Sequence, residues 1–147
     1  MSELGVLEET HLTFRLAPEM ELEVRACACE MAKSIRMSTD KVEEVGMAVV
    51  EACINAIEHS RAADGQLHLG LAVLGSADAE EPRMLRITIQ DQGVGFDRSR
   101  LVPPRIEDNL RSIRKRGWGL KIIEGLMDEV NVLSGEGGTS VVMLKVL

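Results

Sequence analysis

The stretch "EACINAIEHS", residues 51–60, sets two carboxylates, a carboxamide and an imidazole inside a run that otherwise reads as an apolar helix. At about 100° per residue, Glu51, Asn55, Glu58 and His59 fall within roughly a quarter of the helical wheel. Val42, Val45, Val49, Ala52, Cys53, Ala56 and Ile57 occupy the broad arc opposite. Asparagine is a poor residue for a helix interior because its side chain competes for backbone hydrogen bonds. Its carboxamide oxygen is, however, a hard donor suited to Mg²⁺, which keeps several waters and takes one or two protein oxygens beside substrate phosphates. Glu51, one turn earlier, is placed to take a proton from a nucleophile. A solvated polar face would carry the same residues, so this constellation alone leaves both readings open.

Two glycine motifs follow. "DQGVGFD", Asp91 to Asp97, ends an alternating strand with an acid and two glycines, Gly93 and Gly95. A carboxylate there can accept a hydrogen bond from an exocyclic amine, and the glycines let backbone approach a flat ring or a phosphate; a plain turn after a strand has the same composition. "KRGWGLKIIEGLMDEV", Lys115 to Val130, brings Lys115, Arg116, Gly117 and Gly119 to the start of a helix. Free N–H groups and the macrodipole make such an end a phosphate site. Neither a Walker loop nor the dinucleotide G-x-G-x-x-G is present. Trp118, between the glycines, fits either a lid hinge or a partner surface.

The elements that must position these residues follow from period and punctuation. "LTFRLA", residues 12–17, alternates as a half-buried strand, and Pro18 opens a helix running to about Ile35. "MSTD" breaks it, with Ser38 or Thr39 as N-cap of a second helix that extends to about His59. "ADG", residues 63–65, reads as a turn before the strands "QLHLGLAVLG" and "MLRITIQDQ", an antiparallel hairpin. A Gly-, Arg- and Pro-rich loop from Gly93 follows, with "RIEDNLRSIRK" as a candidate short helix. "LKIIEGLMDEV" is helical, and "NVLSGEGGTSVVMLKVL" is a terminal hairpin turning at Gly137 and Gly138. The order predicts an α+β two-layer sandwich, a mostly antiparallel mixed sheet with helices on one face, as a single domain over residues 1–147.

Composition narrows the partners. A chain of 147 residues with 45% hydrophobic and 28% charged content can bury its own core, and 2% aromatic content makes that core aliphatic. A net charge of -7 argues against direct nucleic-acid binding. The basic residues Arg98, Arg100, Arg105, Arg111, Arg114, Lys115 and Arg116 nevertheless crowd one stretch, either a solvated loop or a surface for a polyanion. Three cysteines suggest neither a disulfide framework nor a metal cluster. With no apolar run of about 20 residues, the expectation is no membrane span and a cytoplasmic location.

In order, "EACINAIEH", "DQGVGFD", "RGWGLKIIEGLMDEV" and "GGTSVVM" resemble the motif boxes of the GHKL ATP-binding superfamily, and within it the bacterial anti-sigma-factor and switch-type serine/threonine kinases. The resemblance implies ATP and Mg²⁺ as cofactors. Asp91 would bind the adenine amine with Thr139 supporting it through water, and Gly93 and Gly95 would lie near the nucleotide. Asn55 would hold Mg²⁺, Gly117 and Gly119 would offer N–H groups to the phosphates, and Lys115 or Arg116 would offset charge on the transferred group. Glu51 would orient or deprotonate a serine or threonine hydroxyl. Implied partners are a sigma factor, a STAS-domain anti-anti-sigma factor and a second copy of the chain. Control of a downstream signalling enzyme and a non-catalytic ATP-binding module stay open as alternatives. A detached sensor histidine kinase domain fits poorly, since no dimerisation coil with a phospho-accepting His precedes the site and His11 lies before a strand.

Overall fold

A computed structural model of the chain describes residues 4–59, 62–93, 119–135 and 138–147, with backbone only for 58, 59, 62–64, 92, 93, 134 and 135. The elements run β1 (Leu4–Arg15), α1 (Met20–Ser34), α2 (Thr39–His59), β2 (Ala62–Ser76), β3 (Glu81–Gly93), a helical segment 119–126, β4 (Glu129–Gly135) and β5 (Gly138–Val146). The strands form one sheet in the order β1-β2-β3-β5-β4, and every pairing is antiparallel. The expected α+β plan is therefore present, with a sheet more uniform than a mixed one.

Alternation decides which face of the sheet is covered. Leu67, Leu69, Leu71 and Val73 on β2, Leu85, Ile87 and Ile89 on β3, and Met143 on β5 are buried at every second position. They pack with Met20, Val24, Ala28 and Ala32 of α1, Val42, Val45, Val49, Ala52 and Cys53 of α2, and Ile123 and Met127. The four α1 residues recur every fourth position, one stripe of a helix. The opposite face of the sheet is an open groove with a polar lining that includes Glu9, His11, Thr13, His68, Arg86 and Gln90.

Ser38 caps α2: the Lys41 N–H donates to its Oγ at 3.3 Å, and the Val42 N–H donates to its carbonyl at 2.9 Å. Pro18, by contrast, sits in a turn, and α1 begins two residues later, after Glu19 in a left-handed conformation at φ 71°. β1 starts at Leu4, well before Leu12: residues from Leu4 onward pair with β2, although an irregularity between Val6 and Glu8 interrupts the alternation there. Residues 63–65 form no separate turn. They lie within β2 as an irregularity between Ala62 and Leu67, with Gly65 at φ 63° and its carbonyl accepting from the Leu16 N–H at 2.8 Å.

The last described helix ends at 126, earlier than the helical reading of "LKIIEGLMDEV". The Met127 N–H still reaches the Ile123 carbonyl, but the Asp128 N–H donates to Leu144 on β5 at 2.9 Å, so the sheet takes over there. Ile57 also departs from its expected place in the apolar arc, being 36% exposed near the end of α2.

Candidate functional site

The C-terminal half of α2, the end of β3 and the start of β5 lie at one end of the sandwich. Ala62, three residues beyond α2, pairs with Gly93 at the end of β3, and Asp91 on β3 pairs with Thr139 on β5 and with Leu67 on β2. Residues directly opposed across strands share a face. Asp91 continues the buried series Leu85, Ile87, Ile89, so it faces the helices and is only 8% exposed. Thr139 continues the inward series of β5 through Val141 and Met143 and is half-buried. An acid and a hydroxyl thus stand side by side on the helix-facing side at the rim of the core.

On α2, Glu51 and Asn55 are both half-buried, one turn apart, beside the buried Ala52 and Cys53. Gly119, the first described residue of the segment 119–126, is buried against Asn55. A Cβ built on Gly119 would meet Asn55 Nδ2 at 2.7 Å, Oδ1 at 3.0 Å and Cγ at 3.3 Å. Glycine lets the backbone at 119 approach the carboxamide without displacing the Asn55 side chain. The first motif and the second glycine motif, more than sixty residues apart in sequence, therefore meet at one point.

The side chains of Glu58 and His59 lie outside the described residues, as do Gly95, Lys115, Arg116, Gly117, Trp118, Gly137, the basic stretch 98–116 and the candidate helix within it. Gly93 is placed by its backbone pairing alone. Among the described residues no group of three His, Cys, Asp or Glu is arranged to hold a metal ion, and no helix is long and apolar enough to cross a membrane. Burial, with a contribution from the charge of Glu21, pushes the Cys53 thiol up to about 12, so beneath the site it is a neutral packing group.

Sequence reasoning missed Lys145. It lies on the inward side of β5, two residues beyond Met143, and its ammonium donates to Glu44 on α2 and to the carbonyl of Leu126. A cation at an inward position of an alternating strand, in "TSVVMLKVL", was the available signal.

A sequence profile of the histidine kinase-like ATPase domain matches residues 14–145. The serine-protein kinase RsbW of Bacillus licheniformis is 34% identical over 137 residues, which span 88% of this chain and 80% of that protein. The anti-sigma F factor of Clostridium acetobutylicum is 28% identical over 135 residues, spanning 91% of this chain and 90% of that protein. Among solved structures, that of the RsbU and RsbW domains of Rv1364c from Mycobacterium tuberculosis superimposes with a TM-score of 0.67 at 20% identity. The match covers 95% of this chain and 32% of that longer one, a likeness of fold.

Proposed function

Because the chain belongs to the histidine kinase-like ATPase domain family, we propose that it is an ATP-dependent serine/threonine protein kinase that also sequesters a sigma factor, its phosphorylation target being a STAS-domain antagonist. Kinship with serine-protein kinases over most of both chains supports the kinase assignment, and kinship with an anti-sigma F factor supports the second activity. The observation that carries the site assignment is the seating of Gly119 on the Asn55 carboxamide, which brings the second glycine motif and a hard oxygen donor together. Residues 1–147 act as one functional unit in this reading, and the active form is a homodimer in the cytoplasm.

ATP takes the end of the sandwich where the motifs converge. Asp91, inward and nearly buried, accepts from the exocyclic amine of adenine, with Thr139 beside it on the neighbouring strand. Gly93 and Gly95 give the ring backbone to lie against. N–H groups at Gly117 and Gly119 face the phosphates, where a helix N-terminus favours negative charge. Lys115 or Arg116 draws charge off the transferred group.

Asn55 fits Mg²⁺ by its chemistry: it presents a neutral oxygen, half-exposed, with no competing carboxylate cluster among the described residues. When bound, Mg²⁺ offsets charge on the phosphate oxygens. The serine oxygen of the antagonist attacks the γ-phosphorus, the bond from that phosphorus to the β–γ bridging oxygen breaks, and ADP leaves. Glu51 orients the attacking hydroxyl and receives its proton.

Glu51→Gln tests this division of labour. Transfer of labelled γ-phosphate to the antagonist should fall by about 10²- to 10⁴-fold while Mg-ATP affinity holds. An undiminished rate removes Glu51 from the chemistry.

A further inference from the structure

The helical segment 119–126 is tied to α2 at both of its ends. At its head, Gly119 lies against Asn55. At its tail, the carbonyl of Leu126 accepts from the Lys145 ammonium, which also donates to Glu44, eleven residues before Asn55 on α2. At 1.5 Å per residue, the segment covers roughly 10 Å and the stretch from Glu44 to Asn55 roughly 16 Å. The two helices therefore run alongside each other in opposite directions, with Lys145 bridging one end and a glycine contact closing the other.

Lys145 is 5% exposed, whereas the Glu44 side chain is 39% exposed. Burying an ammonium is costly, and an apolar residue of similar length would fill the space without that cost. What the apolar residue would lack is a donor reaching the last carbonyl of a helix, where the negative end of the macrodipole favours a cation. The neighbouring bonds extend the same clasp: the Asp128 N–H donates to Leu144, and the Val146 N–H donates to Asp128 Oδ2 at 2.6 Å. Residues 119–126 are continuous helix, so holding Leu126 constrains where Gly119 lies.

We infer that Lys145 is a positioning residue for the nucleotide site: by holding the tail of the segment 119–126 against Glu44 and β5, it sets where Gly119 meets the Asn55 carboxamide. This inference rests on the reading of that end of the sandwich as the ATP site. It touches neither nucleotide nor acceptor and acts through that helical segment alone.

The test uses Lys145→Met and Glu44→Gln in the full chain, read by the nuclear magnetic resonance signal of the Asn55 side-chain amide, by amide hydrogen exchange and by Mg-ATP calorimetry. In Lys145→Met the Asn55 amide signal should shift, exchange over 119–126 should quicken about tenfold, and Mg-ATP should bind about tenfold more weakly, the scale of one charge-assisted hydrogen bond. Exchange in α1 and in the β2–β3 hairpin should stay as in the wild type. Glu44→Gln should change the same readouts in the same direction by about threefold, and it carries the test if Lys145→Met does not fold. An unmoved Asn55 signal, or exchange that quickens equally everywhere, overturns the inference. If the wild type binds no Mg-ATP, the nucleotide-site reading fails instead, and the Asn55 signal still decides whether Lys145 positions that carboxamide.

Discussion

Gly119 stands so close to Asn55 that a methyl group in place of its hydrogen would press on the carboxamide nitrogen at 2.7 Å. The obstructing atoms belong to a side-chain tip, so the backbone can keep its place while Asn55 gives way. Gly119→Ala should therefore fold with little change in melting temperature and lose Mg-ATP affinity by about tenfold, the scale of one displaced polar contact.

Gly125, in the same helical segment, supplies the contrast. A Cβ there meets nothing within 4 Å. Gly125→Ala should raise stability by about 0.5–1 kcal/mol, because alanine loses less freedom than glycine in a helix, and leave nucleotide affinity as it was. Thermal melts and calorimetry on the pair separate the two effects; equal loss of affinity in both would deny Gly119 its special contact.

The cap of α2 gives a stability prediction remote from the site. Ser38→Ala removes the Oγ that accepts from the Lys41 N–H, at a cost of about 1 kcal/mol. Ser38→Asn should restore most of it. Denaturant midpoints measure both, and no loss in the alanine variant would mean that this bond contributes nothing.

Cys53 predicts a pH dependence with a definite sign. Its thiol titrates near 9.0 when unfolded and is raised to about 12 in the fold. The unfolded chain therefore loses this proton first, so the contribution is whole below pH 9 and is lost as pH climbs from 9 toward 12. Cys53→Ala should flatten that part of the stability profile. At pH 8 the native protein should leave Cys53 unalkylated while urea exposes it, as mass spectrometry of iodoacetamide adducts would record.

Much of this was legible where local pattern and packing agree. The period of α2 separated Glu51 and Asn55 from the valines that line the core, and alternation in "MLRITIQDQ" marked the strand that carries Asp91. Elsewhere the chain's local pattern misled. Between Val6 and Glu8 an irregularity breaks the period of β1, so its first half does not read as strand. Helical periodicity in "LMDEV" runs on past 126 although Asp128 has already joined β5. Lys145 was overlooked for another reason: its inward place on β5 was a signal, but its partners, Glu44 and Leu126, come from two other elements and meet it only in the tertiary fold.

The most direct measurement is Mg-ATP binding by calorimetry on the wild type and on Asp91→Asn. Asp91 is nearly buried at the site end of β3, and the amide that replaces it offers a donor where adenine also offers one. The wild type should show saturable one-site binding and the variant a loss of at least about a hundredfold, the cost of leaving buried polar groups mismatched. Equal binding by both folded proteins, or none by the wild type, would contradict the assignment of the ATP site.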